Sequence, residues 1–149
     1  MRYSTARSFG RRMPLPERRI GAAGSVGSDL HAGESLRRGQ QITSNSGRFT
    51  LSFQTDGNLV LYAGQRAIWS SGTAGSAAQT LIMQTDGNLV LYGASNSALW
   101  ASNTAGNQGA FAVLQDDGNF VVYIGQQSLW SSRAAAHHSN DSLYALALL

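Results

Sequence analysis

Five side chains recur together three times in this chain in the pattern Gln-x-Asp-x-Asn-x-Val-x-Tyr. The first set is Gln54, Asp56, Asn58, Val60 and Tyr62; the second is Gln84, Asp86, Asn88, Val90 and Tyr92; the third is Gln115, Asp117, Asn119, Val121 and Tyr123. Each set holds a carboxylate that only accepts hydrogen bonds, two amides that donate and accept, a phenol that does both, and one small apolar surface. That inventory suits a ligand whose hydroxyls donate and accept at neighbouring positions while its C–H face is apolar, which is the chemistry of a hexose.

Catalysis asks for other groupings. No serine sits in a Gly-x-Ser-x-Gly elbow, and GTAGSAA has no lysine for a phosphate loop. His31 and the adjacent His137 and His138 lack a second ligand pair at metal spacing. Asp116 and Asp117 alternate across a strand end, so they point apart and cannot form a glycosidase pair. The sequence therefore reads as non-enzymatic, with no cofactor and no metal.

The five side chains act together only if the phrase bends, because a straight strand at about 3.3 Å per residue would hold Gln54 and Tyr62 about 26 Å apart. Asp56-Gly57 is a hairpin signal, and alternation places Leu51, Phe53, Leu59 and Leu61 on one face. A two-residue loop would pair outward Gln54 with inward Leu59, so the loop must be odd. A three-residue loop, Asp56-Gly57-Asn58, pairs Thr55 with Leu59, Gln54 with Val60, Phe53 with Leu61 and Ser52 with Tyr62, with positive φ expected at Gly57 or Asn58.

The phrases begin 30 and 31 residues apart, at Gln54, Gln84 and Gln115, as when one supersecondary unit is used three times. Trp69, Trp100 and Trp130 close the units, and one tryptophan per unit around a threefold axis can fill a shared core. Residues 30–52 are expected to give the first unit its leading strands. The repeated body is placed at 29–136, with units at roughly 29–75, 76–106 and 107–136.

Composition fits an all-β body, with 17 glycines, 2 prolines and no cysteine, so no disulfide supports it. The net charge of +3 belongs to an appendage: residues 1–28 carry six arginines against Glu17, whereas 29–133 carry five arginines against six acids. The body is thus no nucleic-acid binder. Residues 1–28 read as a basic, disordered tail without the apolar core of a secretory signal, leaving secreted and cytoplasmic locations open. Residues 137–149 read as a second tail, too short to span a bilayer.

With LHAGESL ahead of them and a W-[SA]-S piece after each, the three motifs resemble the monocot mannose-binding lectins, also called bulb-type or snowdrop-like lectins. The resemblance covers about 29–136. It implies a β-prism II fold: three four-stranded antiparallel sheets with pseudo-threefold symmetry, one sugar pocket per sheet, and the tryptophans in the central core. It further implies that Asp56 and Asn58 hold the axial O2 of mannose, Gln54 its O3 and Tyr62 its O4, while Val60 packs on the ring carbons. Asp86, Asn88, Gln84, Tyr92 and Val90 repeat those roles, as do Asp117, Asn119, Gln115, Tyr123 and Val121. Mannose-rich glycans are the implied partners, and exchange of C-terminal strands near residues 127–136 is the implied route to a homodimer or higher oligomer. Many plant members carry a cysteine between the first Asp and Asn, where this chain has Gly57. Two other readings share the pockets: a lectin-like bacteriocin or adhesion factor that uses them for targeting, and a structural module in which they are inactive.

Overall fold

The computed structural model describes residues 27–138. The expectations for the basic and apolar tails fall mainly on 1–26 and 139–149, outside the described residues. Twelve strands make up the body: β1 (Asp29–Leu30), β2 (Ser35–Arg37), β3 (Gln41–Thr43), β4 (Phe49–Phe53), β5 (Leu59–Ala63), β6 (Arg66–Ser70), β7 (Thr80–Met83), β8 (Leu89–Tyr92), β9 (Ala98–Ala101), β10 (Phe111–Leu114), β11 (Phe120–Ile124) and β12 (Gln127–Ser131). A short helix, α1 (Ser132–His138), follows them. No helix among the described residues is long and apolar enough to cross a membrane.

The strands form three four-stranded antiparallel sheets, ordered β3-β4-β5-β6, β2-β7-β8-β9 and β1-β10-β11-β12. Each repeat thus contributes a three-stranded meander, and the fourth strand comes from the N-terminal run. That run does not serve the first unit alone, as the sequence suggested: β3 completes the first sheet, β2 the second and β1 the third. Short strands with one buried residue each, such as Leu36 in β2 and Ile42 in β3, suffice to cap three separate sheet edges.

Alternation works as read for the core. Leu51, Phe53, Leu59 and Leu61 of the first sheet join Leu81, Met83, Leu89 and Leu91 of the second and Leu114, Phe120 and Val122 of the third in one cluster of buried side chains. The register does not. Phe53 pairs with Leu59, Leu51 with Leu61 and Thr50 with Tyr62, so the loop is odd but spans five residues, Gln54 to Asn58, instead of three. Inside it the Gln54 amide N–H donates to the Asn58 carbonyl at 2.9 Å, and Gly57 N–H donates to the Gln54 carbonyl at 3.0 Å. Two nested backbone bonds close this wider loop, which a face argument alone cannot tell from a three-residue one.

The third strand of every meander carries a β-bulge opposite the motif tyrosine. Leu61 pairs with Trp69 but Tyr62 with Ala67, leaving Ile68 unpaired, and the same shift isolates Leu99 and Leu129. A bulge breaks the period of two, so consecutive apolar residues such as Ile68 and Trp69 both pack on the core. The tryptophans meet about the axis: their centroids lie 5.5, 5.5 and 5.3 Å apart and their planes cross at 73°, 72° and 73°. This edge-to-face ring places each indole's positive edge against a neighbour's negative face.

Candidate functional site

Each motif loop stands at the end of a hairpin, and its aspartate builds the turn. Asp56 Oδ1 accepts from the Asn58 backbone N–H at 2.9 Å, as Asp86 does from Asn88 and Asp117 from Asn119 at the same distance. This is the Asx-turn chemistry that favours Asp two residues before a polar loop end. Gly57, Gly87 and Gly118 between them adopt φ of +91°, +95° and +88°, the left-handed region where a side chain is costly.

The asparagine is fixed from behind by the loop that follows the tryptophan-bearing strand β6. Asn58 Oδ1 accepts from Thr73 N–H at 3.1 Å and lies 3.2 Å from Ser71 Oγ. Thr73 Oγ1 donates its one hydroxyl hydrogen to the Gly57 carbonyl at 2.7 Å, so Ser71 is the donor in their mutual 2.7 Å contact. With its carbonyl oxygen so held, Asn58 has its Nδ2 group left to offer a ligand. Ser102 and Thr104 hold Asn88 in the same way, with Thr104 Oγ1 donating to the Gly87 carbonyl at 2.6 Å.

The third repeat departs from this scheme because α1 begins at Ser132. Asn119 Oδ1 accepts from Arg133 N–H at 3.0 Å, and Arg133 Nη2 donates to the Asp117 carbonyl at 2.8 Å. Sequence reading missed all these supports, treating W-[SA]-S only as a repeat end. The recurring Ser after each Trp-[Ser/Ala], with Thr two places on in two copies, was the available signal.

Glutamine and tyrosine close the patch. Tyr92 Oη donates to Gln84 Oε1, and Gln84 Nε2 donates to both Asp86 oxygens at 3.0 and 3.2 Å. Tyr123 donates to Gln115 at 2.6 Å, and Gln115 reaches both Asp117 oxygens at 3.3 Å. In the first set the amide is turned: Gln54 Nε2 donates to Tyr62 Oη. Hydrogen bonds therefore join Gln, Asp, Asn and Tyr into one chain in the second and third motifs, whereas in the first they form two separate pairs, Gln54 with Tyr62 and Asp56 with Asn58. The Asn88 backbone N–H first, and the Gln84 amide second, hold the Asp86 carboxyl below the usual carboxylate range, against a small opposing effect of burial.

The valine is less open than a sugar-contacting surface suggests. Val60, Val90 and Val121 point away from the core cluster yet are only 4, 2 and 2 % exposed. Each sits in a central strand, Val60 between Ser52 and Ser70, Val90 between Ile82 and Ala101, and Val121 between Val113 and Ser131. It forms the floor of the patch, presenting a narrow apolar strip to whatever lies above.

No family profile matches the chain. A B-type lectin, plumieribetin of Scorpaena plumieri, is 43% identical over 49 residues, a match that spans 33% of this chain and 42% of that protein. The chain thus covers less than half of the length of this curated relative. Solved structures match more fully. A Marasmius oreades lectin superposes with a TM-score of 0.68 at 35% identity, covering 73% of this chain and 92% of that one. Monomeric monocot mannose-binding lectins from Gastrodia elata give 0.64 at 40%, covering 70% and 94%. The mannose-specific agglutinin of snowdrop, Galanthus nivalis, solved with methyl α-D-mannoside, gives 0.60 at 45%, covering 64% and 88%. With its three antiparallel sheets, its motif loops and these likenesses, the chain belongs to the bulb-type mannose-binding lectins, a non-enzymatic family.

Proposed function

We propose that the chain binds mannose and mannose-containing glycans through its three motif patches. The observation that carries this reading is the aspartate-closed loop common to all three motifs, beside an asparagine whose oxygen is already satisfied, with a hydrogen-bond chain from tyrosine through glutamine to aspartate in the second and third. A fixed carboxylate, a fixed amide donor and a phenol over an apolar floor match the neighbouring hydroxyls and C–H face of one hexose. In this reading Asp and Asn take O2, Gln takes O3, Tyr takes O4 and Val meets the ring carbons, as the family resemblance implies.

One such shallow patch binds a monosaccharide in about the millimolar range, roughly −4 kcal/mol. Three patches on one rigid body capture a mannose-rich surface by avidity. Association into a dimer or larger assembly multiplies them, by exchange of C-terminal strands near residues 127–136 as the family resemblance implies. The solution mass reads this directly, a monomer limiting the valency to three.

The test is a glycan array followed by mannose titration of Asp56→Ala, Asp86→Ala and Asp117→Ala, singly and combined. Stepwise loss of mannan binding is expected. A triple variant that binds mannan as well as the parent overturns the assignment.

A further inference from the structure

We propose that the third patch is selective for a sugar bearing an anionic group, a phosphate or carboxylate, and that Arg133 is its specificity-determining residue. This rests on the sugar-binding reading above. The position directly after W-[SA]-S is Gly72 in the first repeat and Asn103 in the second, both left-handed with φ of 73° and 61°. In the third repeat that position is Arg133, which the start of α1 allows to be helical.

Its guanidinium reaches back over the motif loop. Nη2 donates to the Asp117 carbonyl at 2.8 Å, and Nη1 stands 3.8 Å from Asp117 Oδ2 with both side chains 52% exposed. Among the described residues this is the one ion pair made by a motif carboxylate. Asp56 and Asp86 have no such ion-pair partner among the described residues, so their carboxylates repel an anionic sugar more than Asp117 does. Asp117 is compensated, and the remaining guanidinium N–H groups lie beside the atoms that would seat the sugar.

The surroundings support the same polarity. Asp116, the other acid on this loop, is turned away, its Oδ1 accepting from Ser46 N–H at 2.8 Å. Arg48 lies over the Phe49 ring, 5.6 Å from its centroid, and that ring presses on Gly118, where an added Cβ would meet it at 2.7 Å. Arg38, by contrast, donates to the backbone carbonyls of Ala78, Thr55 and Ser76 and is a strap below the first loop.

The test uses the full chain carrying Asp56→Ala and Asp86→Ala, titrated at low ionic strength with methyl α-mannoside, mannose 1-phosphate and mannose 6-phosphate. Circular dichroism checks that each variant is folded. The two phosphates place the charge at opposite ends of the ring, so the tighter one also locates Arg133 relative to the sugar. One of them is expected to bind about fivefold tighter than the neutral mannoside, the size of an exposed charge pair, and to lose this advantage in high salt. Adding Arg133→Gln brings the ratio to about one, and Arg133→Lys retains it. Equal binding of all three ligands overturns the proposal, as does an advantage that survives Arg133→Gln. If this variant binds none of the three while the parent binds the mannoside, the inference fails alone. A parent that binds no sugar removes the underlying reading with it.

Discussion

Gly87 and Asn107 approach so closely that a Cβ on the glycine would sit 2.2 Å from the Asn107 carbonyl oxygen and 2.7 Å from its carbonyl carbon. The corresponding Gly57 faces Ser76 O at 2.7 Å, and Gly118 faces the Phe49 ring at 2.7 Å. Backbone cannot swing aside, whereas a phenyl ring can. Gly87→Ala is therefore expected to cost about 3 kcal/mol, from strain at positive φ and displacement of a neighbouring loop. Gly118→Ala is expected to cost about 1–2 kcal/mol. Urea unfolding of the two variants gives the order; equal losses would show that the Asn107 loop yields freely.

The tryptophan ring predicts a graded series. Trp69 is 3% exposed, while Trp100 and Trp130 are half-buried. Trp69→Ala removes the more enclosed indole and is expected to destabilise by about 4 kcal/mol, with Trp100→Ala below it. Thermal unfolding followed by circular dichroism measures the difference.

Thr73 links stability to binding in one side chain. Thr73→Val keeps the shape but leaves the Gly57 carbonyl without its hydroxyl donor, at a cost of about 1–2 kcal/mol. It also releases the motif loop beside Asn58, so the first patch should weaken while the third, where Ala134 stands at the sequence-equivalent place, is untouched. Residue-resolved NMR titration with mannose separates the two patches.

Asp86 should remain ionised to lower pH than an ordinary aspartate. Its folded pKa is lowered, so the ordering that its carboxylate gives the second loop is fully present above the unfolded value. That ordering is lost as pH falls through the folded one. Gln84→Ala removes one of the three lowering hydrogen bonds and should move the midpoint upward, toward the ordinary value. A carboxyl NMR titration that finds no upward movement would assign the shift to the backbone N–H groups of Asn88 and Asp86.

Much of this architecture is legible in the residues. Leu51, Phe53, Leu59 and Leu61 share a face because the period of two fixes it, and the repeated phrase fixes the number of sheets. The register was misjudged because loops of three and five residues leave every side chain on the same face; only the backbone bonds between Gln54 and Asn58 choose between them. Ile68 and Trp69 point the same way because of a bulge that has no residue signature. The motif residues are legible through their chemistry, while the parts of Ser71, Thr73 and Arg133 are not, since they depend on a motif loop more than a dozen residues away.

The division of the N-terminal run among three sheets bears on how the chain is made. Its first strand, emerging earliest, must wait for the last hairpin before it has a partner, since β1 pairs with β10. The third sheet cannot be completed on a partial chain, however far the first two have folded. Premature termination before Phe111 would strand β1 as an open edge, ready to pair with a neighbouring molecule. Full-length synthesis is thus the condition for a closed prism, and all three repeats share one fate.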